Sequence, residues 1–355
     1  MTRDIRYHAC SGADFMHSSG HEGTHVDDGL VMRPDAPVPG GDWESAYWFA
    51  PPFEPGFRFD ELVASWTADT PPESYITVSV LDDHKVHQFG AWSSGERPEA
   101  RRSHDRADDP EIDVDIWRPK GGAERYVLFV RMWRAPGTPG PRLRSVGAVV
   151  SAGPVRTGTS SPLRRVERVL DVPRLSQMNW KELGGNGWCS PTSVSMVLAH
   201  GGTLPPTTDT GTVDIPRAAR EVFDPAYDGT GNWSFNTAWA ATLADHAFIT
   251  RLHDLRDAER FVDVGIPLVA SIAYRPGGLK GAPTHGTDGH LVVIRGFTET
   301  GDVVTNDPGA PTDRSVRRTY DRGQFERAWL DGSGGLVYVI HQSDRPLPAG
   351  SRGAW

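Results

Sequence analysis

Between about residues 41 and 150 the hydrophobic positions follow a two-residue period. ITVSVLD (76–82), EIDVDIW (111–117) and RYVLFVRMW (125–133) are short β-branched or aromatic runs, separated by Pro, Gly, Asp and Ser. In EIDVDIW, Ile112, Val114 and Ile116 alternate with Asp113 and Asp115, which predicts a strand with one wet face. Several such runs without helical periodicity predict an antiparallel β-sandwich over residues 1–150. Its first forty residues, rich in Gly, Asp and His, read as an irregular start.

After residue 150 the pattern changes. SAGPVRTGTSSP (151–162) is made of small and turn-forming residues and predicts a flexible linker over 151–165. SPTSVSMVLAHGG (190–202) then has Pro191 in its first turn, apolar Val194, Val197 and Leu198, and Gly201 with Gly202 as a stop, which predicts a helix. Further helices are expected in FNTAWAATLADHA (235–247) and RDAERFVDV (256–264). The strands PLVASIAY (267–274), HLVVIRGF (290–297), DVVTNDP (302–308) and GLVYVIH (335–341) follow. Tight turns such as TETGD (298–302) make consecutive strands antiparallel, so residues 166–343 predict an α+β domain with helices first and sheet afterwards. This half is long enough to bury its own core, and a fragment starting near Leu163 is expected to fold and work alone. Residues 344–355, ending in PLPAGSRGAW, are expected to be a disordered tail.

Composition narrows the partners. A chain of 355 residues favours two domains. Its net charge of −9 argues against nucleic acid or an anionic membrane surface as the main partner. No apolar run has membrane-spanning length, so no membrane insertion is expected. The opening residues lack the apolar core of a signal peptide, which predicts a cytoplasmic protein as the sequence is written; removal of an export signal would make it extracellular. There are two cysteines, Cys10 and Cys189, and no CxxC pair, which leaves a thiolate zinc site and a thioredoxin-type site unsupported. Both thiols are expected to be reduced.

Cys189 stands out within GWCSPTSV (187–194), just ahead of the helix that Pro191 opens. The positive end of a helix dipole favours a thiolate, which suits a nucleophile better than a structural thiol. A cysteine nucleophile also needs a base, an orienter for that base and donors for an oxyanion. The segment VPRLSQMNWKELGGNGWCSPTSVSMVLAHGG (172–202), together with GHLVVIRG (289–296) and NDP (306–308), resembles the papain-like cysteine peptidases that remove double-glycine leaders from bacteriocins. The closer likeness is to their stand-alone relatives in family thirty-nine of the cysteine peptidases. The resemblance spans about residues 170–342. It implies that Cys189 is the nucleophile, His290 its base, Asp307 the orienter and Gln177 an oxyanion donor. It departs from the family at Ser190, where Gly often follows the nucleophile, and in the extra KELGGNG loop. WTADTPPESYITVSVLD (66–82) resembles the sandwich that precedes the peptidase half in some soluble actinobacterial members.

What the resemblance implies is a cysteine peptidase hydrolysing a peptide or related amide bond of a peptide or protein substrate through a thioester, with no cofactor and no metal. The residues also admit other acyl transfer, such as transamidation or deamidation, and an inert binding protein whose sandwich carries the function. Asn306 competes with Asp307 as the orienter. RPGGLKGAPTHGTDG (275–289) is placed to serve as a lid. The irregular spacing of His8, Cys10, His17, His21 and His25 does not suit zinc, and Asp105, Asp108, Asp109 and Glu111 read as a solvated acidic loop. Trp43, Trp48, Trp66, Trp92, Trp117 and Trp133 read as sandwich core, with stacking on a carbohydrate or cell-wall ligand as the alternative.

Overall fold

A computed structural model describes residues 3–35, 38–82, 85–95, 98–204 and 213–355. The first half is a sandwich of two seven-stranded antiparallel sheets. One sheet is built around Glu61–Asp69 and Arg142–Ala152, which pair along most of their length, and Asp4–Ser11 covers the far side of the latter. The other is built around Ser74–Leu81, Val127–Arg134 and Trp43–Phe49. Strict alternation places Leu128, Val130 and Met132 in the core, while Phe129, Arg131 and Trp133 stay partly exposed. Of the six tryptophans, Trp48, Trp66, Trp92 and Trp117 are core. Trp43 and Trp133 instead flank Tyr75 among the partly exposed residues, with the Arg131 guanidinium 4.2 Å from the Trp133 ring.

EIDVDIW is not one strand. It folds into a tight hairpin, Ile112–Asp113 against Ile116–Trp117, with Val114 in the left-handed region at φ 59°. The Asp115 amide bonds back to the Asp113 carbonyl at 2.8 Å. The two-residue alternation survives this turn, which is why it reads as a strand.

The second half has its own antiparallel sheet. Its strand order is His246–Arg251, Leu336–His341, Leu268–Tyr274, Thr287–Phe297, Val303–Asn306 and Arg317–Tyr320. The helix Cys189–His200 packs on Thr287–Phe297, buried at every position from Ser190 to Leu198. Its buried hydroxyls are paired: Ser190 meets the Tyr338 hydroxyl, Ser193 donates to the Leu291 carbonyl and Ser195 to the Pro191 carbonyl. The helix expected over 235–247 is shorter, Trp233–Ala240, and its last residues join the strand His246–Arg251. There, pairing with Leu336–His341 outweighs local helix preference. The helices Ile215–Val222 and Arg322–Ser333 lie before and within the run of strands, so helices and strands intermingle.

The connection between the halves is mostly exposed but anchored at two points, Ser160 and Leu163. Ser160 is buried, its amide donates to Glu326 at 2.6 Å, and its carbonyl receives Arg322 Nε at 2.6 Å. Leu163 donates to Glu259 at 2.7 Å. The C-terminal residues also fold onto the protein instead of forming a disordered tail. Ala354 is buried, the Trp355 ring stacks edgewise on Phe261, and the Gly353 carbonyl receives the Tyr7 amide at 2.7 Å. An aromatic anchor, the Arg352–Asp257 ion pair at 2.7 Å and a few further hydrogen bonds hold a stretch whose composition shows no period.

The two halves share one apolar core. Phe235 packs against both Trp66 and Trp92 of the sandwich. Ser234 donates to the Ala64 carbonyl at 2.7 Å, Arg251 pairs with Glu61 at 3.0 Å, and Arg101 reaches the Phe223 carbonyl at 3.1 Å. Among the described residues no helix is long and apolar enough to cross a membrane.

Candidate active site

The stretch before Cys189 is held by the strand that ends in Asn306. Asn306 Nδ2 donates to the carbonyls of Val172 and Pro173, and the Gln177 amide donates to the Pro308 carbonyl at 3.0 Å. The chain then turns at Gly184, in the left-handed region at φ 97°. A Cβ on the following Gly185 would lie 2.4 Å from the Gln177 carbonyl oxygen, so no larger residue fits the extra loop at that point. The helix begins at Cys189, where the backbone N–H groups of Leu291 and Ser190 help to lower the thiol's pKa against the effect of burial.

His290 lies near the start of the strand Thr287–Phe297, opposite Ile272, and is 6% exposed. One face of its chemistry meets the Cys189 thiol by a side-chain hydrogen bond, and Nε2 lies 2.7 Å from Asp307 Oδ1. Asp307 follows the neighbouring strand Val303–Asn306 and is fully buried. The same Oδ1 accepts from the Gly309 amide at 3.0 Å, and Oδ2 accepts from the Tyr320 hydroxyl at 2.7 Å. Asn306 contributes nothing to His290; its amide is spent on the 172–173 carbonyls.

These contacts decide the charges. Burial pushes the Cys189 thiol up, but hydrogen bonding and charge from His290, with the two backbone donors, bring it below its ordinary value. Burial pulls His290 down, and the Asp307 carboxylate more than reverses this, pushing it up to about 10. Asp307 itself is held below the usual carboxylate range: the His290 charge and its three donors outweigh the cost of burial. The other cysteine behaves oppositely. Cys10 is buried in the sandwich core, where desolvation pushes its thiol up to about 11.

Gln177 lines the same cleft as Cys189 and His290 and is 4% exposed. Its Nε2 donates to the carbonyls of Gly185 and Asn186 at 2.9 and 2.8 Å. Its Oε1 has no partner among the described residues. The structure therefore sets Cys189 within interaction reach of His290, hydrogen-bonds His290 to Asp307, and places Gln177 in the wall with both amide protons already donated.

The cleft has a volume of about 1230 Å³. The segment expected as a lid contributes Pro283, Thr284 and Thr287 to Gly289, with Thr284 tied to the Tyr274 hydroxyl at 2.5 Å. The sandwich contributes Asp113, Val114, Asp115 and Ile116. Asp115 accepts from the Trp233 amide at 2.5 Å and so holds the start of the helix Trp233–Ala240. Sequence reasoning missed this hairpin, the donor Tyr320 and the close approach of Gly309, where a Cβ would sit 3.3 Å from the imidazole. The aspartate–aspartate spacing in EIDVDIW carried no signal for it, because the period of a strand was intact.

Among the described residues no three His, Cys, Asp or Glu side chains converge as a metal site. His8 instead stacks on Phe53 at 4.0 Å, and Asp109 is engaged by His87 at 2.8 Å and Lys85 at 3.0 Å.

Residues 169–335 match the Peptidase C39 like family, and residues 6–151 match the family described as Peptidase C39 N-terminal domain. A comparison with curated proteins found no match to the chain. The two matches are consecutive and fall on either side of the connection between the halves. The second half thus carries a domain of the Peptidase C39 like family, and the first half carries a Peptidase C39 N-terminal domain ahead of it.

Proposed function

We propose that the protein is a cysteine peptidase that hydrolyses a peptide or related amide bond, with Cys189 as nucleophile, His290 as general acid and base, and Asp307 as the orienter of His290. One observation carries this reading: a thiol at a helix start faces an imidazole whose other nitrogen lies 2.7 Å from a buried carboxylate. The thiolate attacks the carbonyl carbon, and the imidazolium gives its proton to the departing amine nitrogen. This leaves a thioester on Sγ. Water then attacks the thioester, His290 takes the water's proton, and the carboxylate product leaves as the thiolate re-forms.

The Cys189 backbone N–H and the Gln177 amide are the oxyanion donors in this reading. For Gln177 this means exchanging one of its two bonds to the Gly185 and Asn186 carbonyls for one to the oxyanion. Asp307 fixes the His290 tautomer, and Tyr320 and Gly309 fix Asp307.

The test is turnover of a peptide library by wild type and by Cys189→Ala, with the acyl-enzyme trapped by acid quench and located by mass spectrometry. The reading expects cleaved peptides and an acyl mass on Cys189 in wild type alone. Equal product from both proteins, or an acyl group on another residue, would overturn it.

A further inference from the structure

The cleft beside Cys189 carries an unbalanced charge. Four aspartates line it, Asp113, Asp115, Asp228 and Asp288, against Lys181 and the His290 imidazolium. Burial pushes Asp115 up to about 7, so Asp113, Asp228 and Asp288 carry the acidic charge. Two come from the sandwich hairpin and two from the peptidase half. Part of this charge is already answered: Asp113 pairs with Arg118 at 3.0 Å and Arg106 at 3.4 Å, and the Asp115 carboxylate holds the Trp233 amide. Asp288 lies 3.8 Å from Arg275 with both side chains in water, a weak pairing. Asp228 is exposed and has no ion-pair partner among the described residues.

Asp228 is also held in place. It sits at φ 52° in a turn closed by hydrogen bonds between Asp224 and Gly229, at 2.9 and 3.3 Å. Next to it, Tyr227 is 48% exposed within the cleft, with its ring laid over Gly229 and Gly231; a Cβ on Gly229 would be 2.8 Å from that ring. Tyr227 is within electrostatic reach of both Asp115 and Cys189. An exposed aromatic face beside a fixed carboxylate is the chemistry that recognises a cation. The facing hairpin is fixed too, at the cost of a β-branched residue, Val114, in the left-handed region.

We propose that the sandwich domain completes the substrate cleft, and that this cleft selects a peptide carrying a cationic side chain, held by the Asp228 carboxylate and the Tyr227 ring within the acidic wall shared with the Asp113–Ile116 hairpin. The proposal rests on the peptidase reading for its substrate but concerns binding, so the two can fail separately.

The experiment uses full-length protein and labelled peptides in which Lys, norleucine or Glu is placed at each position in turn. Binding to Cys189→Ala is read by fluorescence polarisation, and turnover by wild type is read in parallel. At one position Lys should bind about tenfold more tightly than its neutral isostere norleucine at low salt. That preference should shrink as salt rises. In Asp228→Asn, which suits the left-handed backbone, and in Tyr227→Leu, the Lys-to-norleucine ratio should fall towards one. Turnover without any preference for Lys would overturn the cation site and leave the peptidase reading standing. Selective binding without turnover would do the reverse. A Lys preference that survives in both variants, or no binding of any peptide, would also overturn the proposal.

Discussion

His290 Nε2 stands 2.7 Å from Asp307 Oδ1, and both groups are out of water. This contact sets the span over which a thiolate–imidazolium pair exists. Cys189 is lowered, so the thiolate forms below the ordinary thiol range; His290 is raised to about 10, so the imidazolium persists up to that pH. A plot of kcat/KM against pH should therefore be a broad bell with its alkaline limb near 10. In Asp307→Asn that limb should move down towards the ordinary imidazole value of about 6.5. Stability follows the same sign. A raised His pKa contributes fully below about pH 6.5 and is lost as the pH rises through about 10. Denaturant titrations across that range check it.

Tyr320→Phe leaves Asp307 Oδ2 without its donor while keeping the ring. Loss of one hydrogen bond to a buried charged group is worth about 1–3 kcal/mol. We expect roughly a tenfold loss in kcat with KM little changed, and an acid limb of the pH profile that shifts upward as Asp307 and the pair it supports become easier to protonate. A fall in thermal stability with unaltered kinetics would reduce Tyr320 to a structural role.

Gln177→Ala should lower kcat by roughly a hundredfold to a thousandfold, the usual effect of losing one oxyanion donor. It also removes two bonds that hold the Gly185–Asn186 loop, so calorimetry should show a modest loss of stability in the same variant. Unchanged kcat with only the stability loss would remove Gln177 from the chemistry and leave it as a loop anchor.

Cys189, His290 and Asp307 were readable in the chain because each sits at a local feature: a helix start, a strand start and an Asn-Asp-Pro turn. Gln177 has no such feature and came from the family resemblance alone. Neighbouring strands bring His290 to Asp307, and the helix Cys189–His200 packs on the strand that carries His290. Tyr320 and the Asp113–Ile116 hairpin were not readable, since each reaches the site through a pairing remote in sequence. Tyr320 arrives on a strand that pairs with Val303–Asn306, and the hairpin arrives through the contact between the two domains. The close contact between the two halves was unreadable for the same reason. Short apolar runs show that a residue is buried but not which domain buries it, and Trp66 and Trp92 are covered by Phe235 from across the boundary.

That shared core makes a further prediction. The full chain should unfold in one cooperative transition, and Phe235→Ala should destabilise it by about 3–5 kcal/mol while broadening or splitting the transition. A fragment starting at Leu163 exposes Phe235 and loses the hairpin wall, so it should aggregate or fold without activity. A soluble fragment with the full rate on a short peptide would show that the sandwich is dispensable. Scanning calorimetry and kcat on the fragment are the measurements.

The central claim is that Cys189 is held as a thiolate by His290, and its most direct measurement is the rate of alkylation of each cysteine at pH 6. Iodoacetamide-modified peptides, quantified by mass spectrometry over time, separate Cys189 from Cys10. The account predicts fast labelling of Cys189, slow labelling of Cys10, whose thiol is pushed up to about 11, and loss of the difference in His290→Ala. Equal, slow labelling of both cysteines in the wild-type protein would contradict it.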